Sequence, residues 1–198
     1  MLNRGVIRAF LAALAVCWAG AAPARADPAV QGIVIASVPL LIWSMFADGD
    51  GDAQPDFLTL GGGQFDVIDD ENQAGEFRVE YRSNLWLWKF KPFIGAAGTT
   101  DEGFYGYGGL RLDVYFGRRL VVAPSVAAVG YEEGEGKDLG SSAVLRSGLD
   151  VAYRFDDDSQ LGLAFHHMSH GEVFGEENPG TETLAVTYSI PLKNILGN

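Results

Sequence analysis

The three histidines of this 198-residue chain lie within five positions: His166, His167 and His170 surround Ser169 in the run HHMSH. Glu182 follows thirteen positions after Ser169, beyond Asn178-Pro179-Gly180 and at the head of the alternating stretch TETLAVTYSI. These residue types are the parts of an acyl-transfer site. A serine hydroxyl is a weak nucleophile until a neutral imidazole accepts its proton, and a carboxylate on the other ring nitrogen fixes the tautomer and stabilises the imidazolium. Ser169 is the candidate nucleophile, His167 the candidate base and Glu182 the orienting carboxylate. His170, just past the strand, and backbone N–H groups near Gly171 are candidate donors to the oxyanion. Such a site needs neither a metal nor another cofactor. Two plainer readings stand beside it: His-rich strand ends occur in inert barrels, and three histidines with a glutamate can bind zinc adventitiously.

The elements that must position these residues read as strands. From residue 57 onward, apolar and polar residues alternate with period two, and Gly-, Asp- and Glu-rich turn signals break the runs. Eight candidates result: 57–68, 75–85, 87–98, 104–116, 119–131, 142–155, 160–169 and 181–190. On the seventh, Leu161, Leu163, Phe165, His167 and Ser169 share a face, while His166 points to the other. On the eighth, Glu182, Leu184, Val186, Tyr188 and Ile190 share a face. The chemistry-bearing residues therefore continue an apolar stripe. Positions i and i+2 on one face are about 7 Å apart, within reach of a rotating histidine. His166 and His167 diverge, which argues against a preformed tetrahedral metal site.

Eight antiparallel strands with short links predict an all-β, up-and-down barrel occupying residues 57–192. Alternation alone leaves open which face is inside. A soluble lipid-binding barrel turns the apolar face inward, and a transmembrane barrel turns it outward. Two features favour the membrane. The second face carries charges of both signs in four candidate strands (Glu76, Arg78, Glu80 and Arg82 in one of them), which suits a narrow ion-paired lumen. Trp86, Trp88, Tyr105 and Tyr107 also lie near strand ends, as an interfacial girdle would.

The rest of the chain bears on compartment. Residues 1–26 read as a secretory signal peptide, with Arg4 and Arg8 ahead of an apolar stretch and Ala24-Arg25-Ala26 before the cleavage point. Cys17 is the sole cysteine, and it falls inside that leader. Val16 before it is not the small residue that an acylated cysteine requires. Removing the leader and its three arginines leaves 11 basic against 26 acidic side chains, a net charge of −15. Such a balance excludes nucleic acid as a partner and any simple attraction to anionic headgroups. Residues 27–56 form an N-terminal segment of unassigned role: an apolar run, 30–46, is interrupted by Pro39, and an acidic linker follows. Asp48, Asp50 and Asp52 match the opening of a calcium loop, but Ala53 and Thr59 stand where that loop requires Gly and Glu.

The runs His167-Met168-Ser169 and Asn178-Pro179-Gly180-Thr181-Glu182, with the closing strand TLAVTYSI, resemble the outer-membrane lipid A 3-O-deacylase family, also called acyloxyacyl-hydrolase-like barrels. The resemblance extends more loosely over 57–192, through FDVIDDE (65–71), EFRVEYR (76–82) and YRFDDDSQLGLAFHH (153–167). It implies an eight-stranded outer-membrane barrel that removes the 3-O-linked acyl chain from lipid A of lipopolysaccharide. By the same resemblance Ser169, His167 and Glu182 form a triad on the outer wall. His170 stands where the family carries an asparagine credited with oxyanion stabilisation. The alternatives are a non-catalytic small outer-membrane barrel, structural or adhesive, and a soluble periplasmic lipid-binding barrel.

Overall fold

The structure is a computed structural model that describes residues 54–68, 72–85, 87, 89–170 and 179–197. The leader, the apolar run 30–46, Asp48 to Asp52, Trp86, Trp88, Gly171 and Asn178 lie outside the described residues. Nine strands are assigned: β1 (Phe57–Phe65), β2 (Ala74–Arg82), β3 (Lys91–Thr99), β4 (Phe104–Arg111), β5 (Val114–Phe116), β6 (Leu120–Glu132), β7 (Ala143–Arg154), β8 (Gln160–Ser169) and β9 (Thr181–Pro191). A short helix, α1 (Leu192–Leu196), follows. All pairings are antiparallel, in the order β4-β3-β2-β1-β9-β8-β7-β6-β5, and a β4–β6 pairing closes the sheet on itself.

The closed sheet is an up-and-down barrel of eight staves, because β4 and β5 make one stave. Arg111 pairs with Ser125 and Val114 with Val122, so the register runs unbroken across the gap. Pro124 lies opposite the gap and has no N–H to give the ladder, although its carbonyl still accepts from Leu112 N at 3.0 Å. The third stave starts later than the alternation suggests, at Lys91 rather than 87. Pro92 sits at its beginning, where a missing N–H is tolerated, and its carbonyl accepts from Ser83 N at 3.0 Å.

Burial decides which face is inside. Along β2, Glu76, Arg78, Glu80 and Arg82 are buried while Phe77, Val79 and Tyr81 are exposed, with Glu76 at 0% and Phe77 at 69%. Ile94, Leu145, Val151, Leu163, Leu184 and Val186 continue the apolar outer surface. The lumen holds an ion-pair network together with a buried apolar cluster that includes Phe65, Phe93, Tyr131 and Met168. Asp150 accepts from Arg82 at 2.8 Å and Arg111 at 3.3 Å; Asp113 accepts from Arg111 at 2.8 Å and Lys91 at 3.0 Å. Charges inside a low-dielectric barrel persist only when paired, and an apolar belt this broad requires lipid to cover it. Tyr105 and Tyr107 correct the expected girdle. Both are buried in the lumen, where the Tyr105 hydroxyl donates to Glu76 and the Tyr107 ring lies under Arg146 at 3.8 Å. Their odd-numbered parity turns them inward, and Phe104 and Leu110 take the outer face of β4.

Phe57 pairs with Pro191, so the barrel's two termini share one end. The opposite end carries the β1–β2, β3–β4, β6–β7 and β8–β9 connections, together with the last residues of β8 and the first of β9.

Candidate active site

At that loop-bearing end, the β8–β9 register sets His167 directly opposite Glu182. Opposed side chains on one face of an antiparallel pair lie within side-chain reach, and His167 Nδ1 contacts Glu182 Oε1 at 2.7 Å. An ionised carboxylate only accepts, so Nδ1 is the donor and the lone pair of the neutral ring is left on Nε2. That Nε2 is buried and has no hydrogen-bond partner among the described residues. The structure thus brings His167 and Glu182 into hydrogen-bond contact.

Ser169 ends β8 on the same outward parity as His167 and is half-buried, paired across to Leu145 of β7. Serine and histidine share a face one pleat apart, and no hydrogen bond joins them. A second hydroxyl lies nearby: Ser147 of β7, also outward and half-buried, is the direct cross-strand partner of His167. Sequence reasoning passed over Ser147 because only the β7–β8 register reveals the pairing. His170 is buried at 1%, on the parity of His166 and Met168 rather than that of Ser169.

His166 belongs to the lumen. Arg78 Nη1 contacts its Nδ1, and because guanidinium only donates, Nδ1 accepts and Nε2–H donates to Asp150 Oδ1 at 3.2 Å. Gly148 makes room for this ring, since a Cβ there would fall 2.0 Å from His166 Cδ2. His166 and His167 therefore take opposite sides of the wall and do not converge on a common ligand.

Two further features hold the site. Gly180 adopts φ +59°, a left-handed conformation that favours glycine, and a Cβ on it would lie 3.2 Å from His167 Cε1. The Pro-Gly turn signal was visible in the sequence; its packing against the imidazole was not. Asp66, also at positive φ, accepts from Lys137 Nζ at 2.6 Å and from Thr181 Oγ1 at 3.2 Å, and the next amide, Val67 N, donates to the carbonyl of Glu182 at 3.1 Å. The first loop thereby clamps the start of β9 on both sides of the catalytic-type glutamate. Asp66 lies within FDVIDDE, but nothing in that run assigns it a task.

An apolar groove of about 600 Å³ crosses the outer wall near this end, lined by glycines of β1 and β2 and by Leu163, Leu184 and Val186.

A family model described as Lipid A 3-O-deacylase (PagL) matches residues 72–191. No sequence among curated proteins matches the chain. Among solved structures, the crystal structure of the outer membrane enzyme PagL superposes with a TM-score of 0.55 at 13% identity, covering 68% of this chain and 99% of that one. A de novo designed transmembrane β-barrel superposes with a TM-score of 0.50 at 8% identity, covering 70% and 98%.

Proposed function

The chain belongs to the lipid A 3-O-deacylase (PagL) family, and on that premise we propose that it is an outer-membrane serine esterase that releases the 3-O-linked acyl chain of lipid A. The observation that carries the reading is the His167–Glu182 contact at 2.7 Å beside a buried, vacant Nε2 on the lipid-facing wall. Polar groups in that position are costly unless they serve a function. Ser169 completes the unit by rotating toward Nε2, a hydrogen bond that in many hydrolases tightens only with substrate in place. Its Oγ attacks the ester carbonyl as His167 Nε2 takes the proton, and Glu182 stabilises the resulting imidazolium. His167 then returns the proton to the departing sugar hydroxyl, and water hydrolyses the acyl-enzyme by the same route. No cofactor enters these steps. Backbone N–H groups near Gly171, and His170 if its ring turns outward, are the candidate oxyanion donors. Export through a cleaved leader, residues 1–26, belongs to the same reading.

Mass spectrometry of lipid A from Gram-negative cells expressing the wild type should show loss of one 3-O-acyl chain, and cells expressing Ser169→Ala should show none. Full deacylation by Ser169→Ala with loss in Ser147→Ala would transfer the nucleophile to Ser147. An unaltered lipid A profile with the wild type, in a strain whose lipid A carries a 3-O-acyl chain, would leave the chain a non-catalytic barrel. Recovery of the protein from the soluble periplasm instead of the detergent-extracted outer membrane would overturn the location.

A further inference from the structure

Alternation along β9 turns the two chain neighbours of Glu182, Thr181 and Thr183, into the lumen, and both are fully buried. Each threonine hydroxyl is bonded to a buried charge from another part of the barrel. Thr181 Oγ1 donates to Asp66 Oδ1 at 3.2 Å, and Asp66 also accepts from Lys137 Nζ at 2.6 Å and from the amide of Asn72 at 3.2 Å. Thr183 Oγ1 accepts from Arg78 Nη2 at 2.9 Å. The same guanidinium contacts His166 Nδ1, and His166 is both the cross-strand partner of Thr183 and the chain neighbour of His167. Arg78 reaches this pair from β2, across β1, because Gly61 carries no side chain: a Cβ there would meet Arg78 Cγ at 2.8 Å. Glu76 Oε1 holds the guanidinium from its own strand, accepting from Nε at 2.6 Å.

We propose that Thr181 and Thr183 are positioning residues that hold the Glu182 carboxylate against His167 from within the lumen. The inference rests on the deacylase reading above, which gives the His167–Glu182 contact its task. Glu182 stands one residue into β9, and strand ends are where a ladder opens most easily. At this end the chain has tethers beyond the ladder: the two threonine hydroxyls inside, and Val67 N donating to the Glu182 carbonyl at 3.1 Å. Both hydroxyl bonds end on charged groups, which makes them the stronger kind. Threonine is also stiff at χ1, so a fixed hydroxyl fixes the backbone that carries it. The guanidinium adds a second constraint, because it grips the β8 and β9 residues beside His167 and Glu182 at the same time. Any slack at these tethers passes directly to the carboxylate and from there to the imidazole.

Thr181→Val and Thr183→Val keep the branched shape, remove the hydroxyl and leave the charges paired, Asp66 with Lys137 and Arg78 with Glu76. Each should lower kcat about tenfold with KM unchanged, part of the roughly 10²-fold that a 1 Å misplacement costs. Thr181→Ser and Thr183→Ser, which restore a hydroxyl, should recover most of that loss. Thr187→Val, at a buried inward position further along β9, should leave kcat at the wild-type value. In a Glu182→Ala background the valine substitutions should cost nothing more, because their effect passes through the carboxylate. Wild-type kcat in both valine variants, an equal loss in Thr187→Val, or a loss that persists without Glu182 overturns the proposal. Heat-modifiable mobility checks assembly, and Thr181→Ala or Thr183→Ala replaces a valine variant that does not assemble. The low-field N–H resonance of His167 Nδ1, identified by its loss in Glu182→Ala, gives a reading without turnover in protein carrying isotope-labelled histidine. It should shift in both valine variants. A wild type that hydrolyses nothing while this resonance shifts defeats the esterase reading alone, whereas an unmoved resonance overturns the positioning role whatever the activity.

Discussion

A histidine, a serine and a glutamate at the end of a lipid-facing stripe must justify their position energetically, and His167 and Glu182 do so by bonding each other. Within the triad reading the three residues act as one unit, so Ser169→Ala and His167→Ala should each lower kcat about 10⁴-fold or more. Glu182→Ala should cost less, because the carboxylate only holds the tautomer and supports the imidazolium. Initial-rate kinetics on a micellar 3-O-acyl substrate check the order, and equal losses in all three variants would mean that Glu182 does more than orient. The burial of His170 shapes the next expectation. If its ring supplied an oxyanion donor, His170→Ala would lower kcat by about 10²–10³-fold. Its 1% exposure, on the parity opposite to Ser169, predicts instead a loss of thermal stability with kcat within a few-fold of wild type. Measuring kcat and Tm on the same preparation separates the two outcomes. At this scale the identities and shared face of His167, Ser169 and Glu182 were legible from period-two alternation. The contact of His167 with Glu182, the proximity of Ser147 and the burial of His170 were not, because each depends on the register between strands.

At the scale of elements, Gly180 before β9 and the contacts of α1 each set a local geometry. Gly180 at φ +59° carries a cost of about 1–2 kcal/mol for any L side chain, and an added Cβ would also press on His167. Gly180→Ala should therefore lower kcat by about 10- to 100-fold, the range that small misplacements of a catalytic group produce, with little change in barrel assembly on gels. At the other end, α1 is tied down by Lys193 Nζ to Asp158 Oδ2 at 2.7 Å and by Asn194 Nδ2 to the Asp157 carbonyl at 3.0 Å. Partial burial pushes the Asp158 carboxyl up, but hydrogen bonds and charge from Lys193 and Arg154 outweigh it and hold the group below its ordinary 3.8. A carboxyl depressed in the folded state stabilises that state above its unfolded pKa, and the contribution disappears as pH falls through the lowered folded value. The foot should thus release in acid. Pepsin cleavage within 192–196 should accelerate in the wild type as pH falls below the ordinary carboxyl value of 3.8, whereas Asp158→Asn should be cleaved readily throughout. Equal pH profiles for the two proteins would show that Asp158 does not hold the helix.

Across the whole molecule, the barrel interior combines a buried apolar cluster around Phe65, Phe93, Tyr131 and Met168 with a network of matched charges. Asp150 is the hub, contacting Arg82, Arg111 and His166. Replacing it with Ala strands buried cations, a loss of about 3–5 kcal/mol by the behaviour of broken buried pairs. Urea unfolding in micelles, followed by heat-modifiable mobility, should show a correspondingly lower midpoint. Asp150→Asn, which keeps acceptor geometry without the charge, should recover part of it. A midpoint unchanged in Asp150→Ala would mean that water or the remaining carboxylates compensate fully.

Strand number, strand parity and the shared face of His167, Ser169 and Glu182 were determined by the sequence itself, because the period of two is a local property of extended backbone. Glu76, Arg78, Glu80 and Arg82 alternate with Phe77, Val79 and Tyr81 whichever way the sheet curls. Only closure of the sheet decided which of those faces became the lumen, and it turned Tyr105 and Tyr107 inward where strand-end position had suggested a girdle. Closure also set the register, and register is a long-range property: one residue of slip would move His167 away from Glu182 and turn it to the lumen face. The Asp66–Lys137 clamp spans 71 positions and the Arg82–Asp150 pair 68. No local pattern encodes such separations; they exist because eight staves meet around one axis.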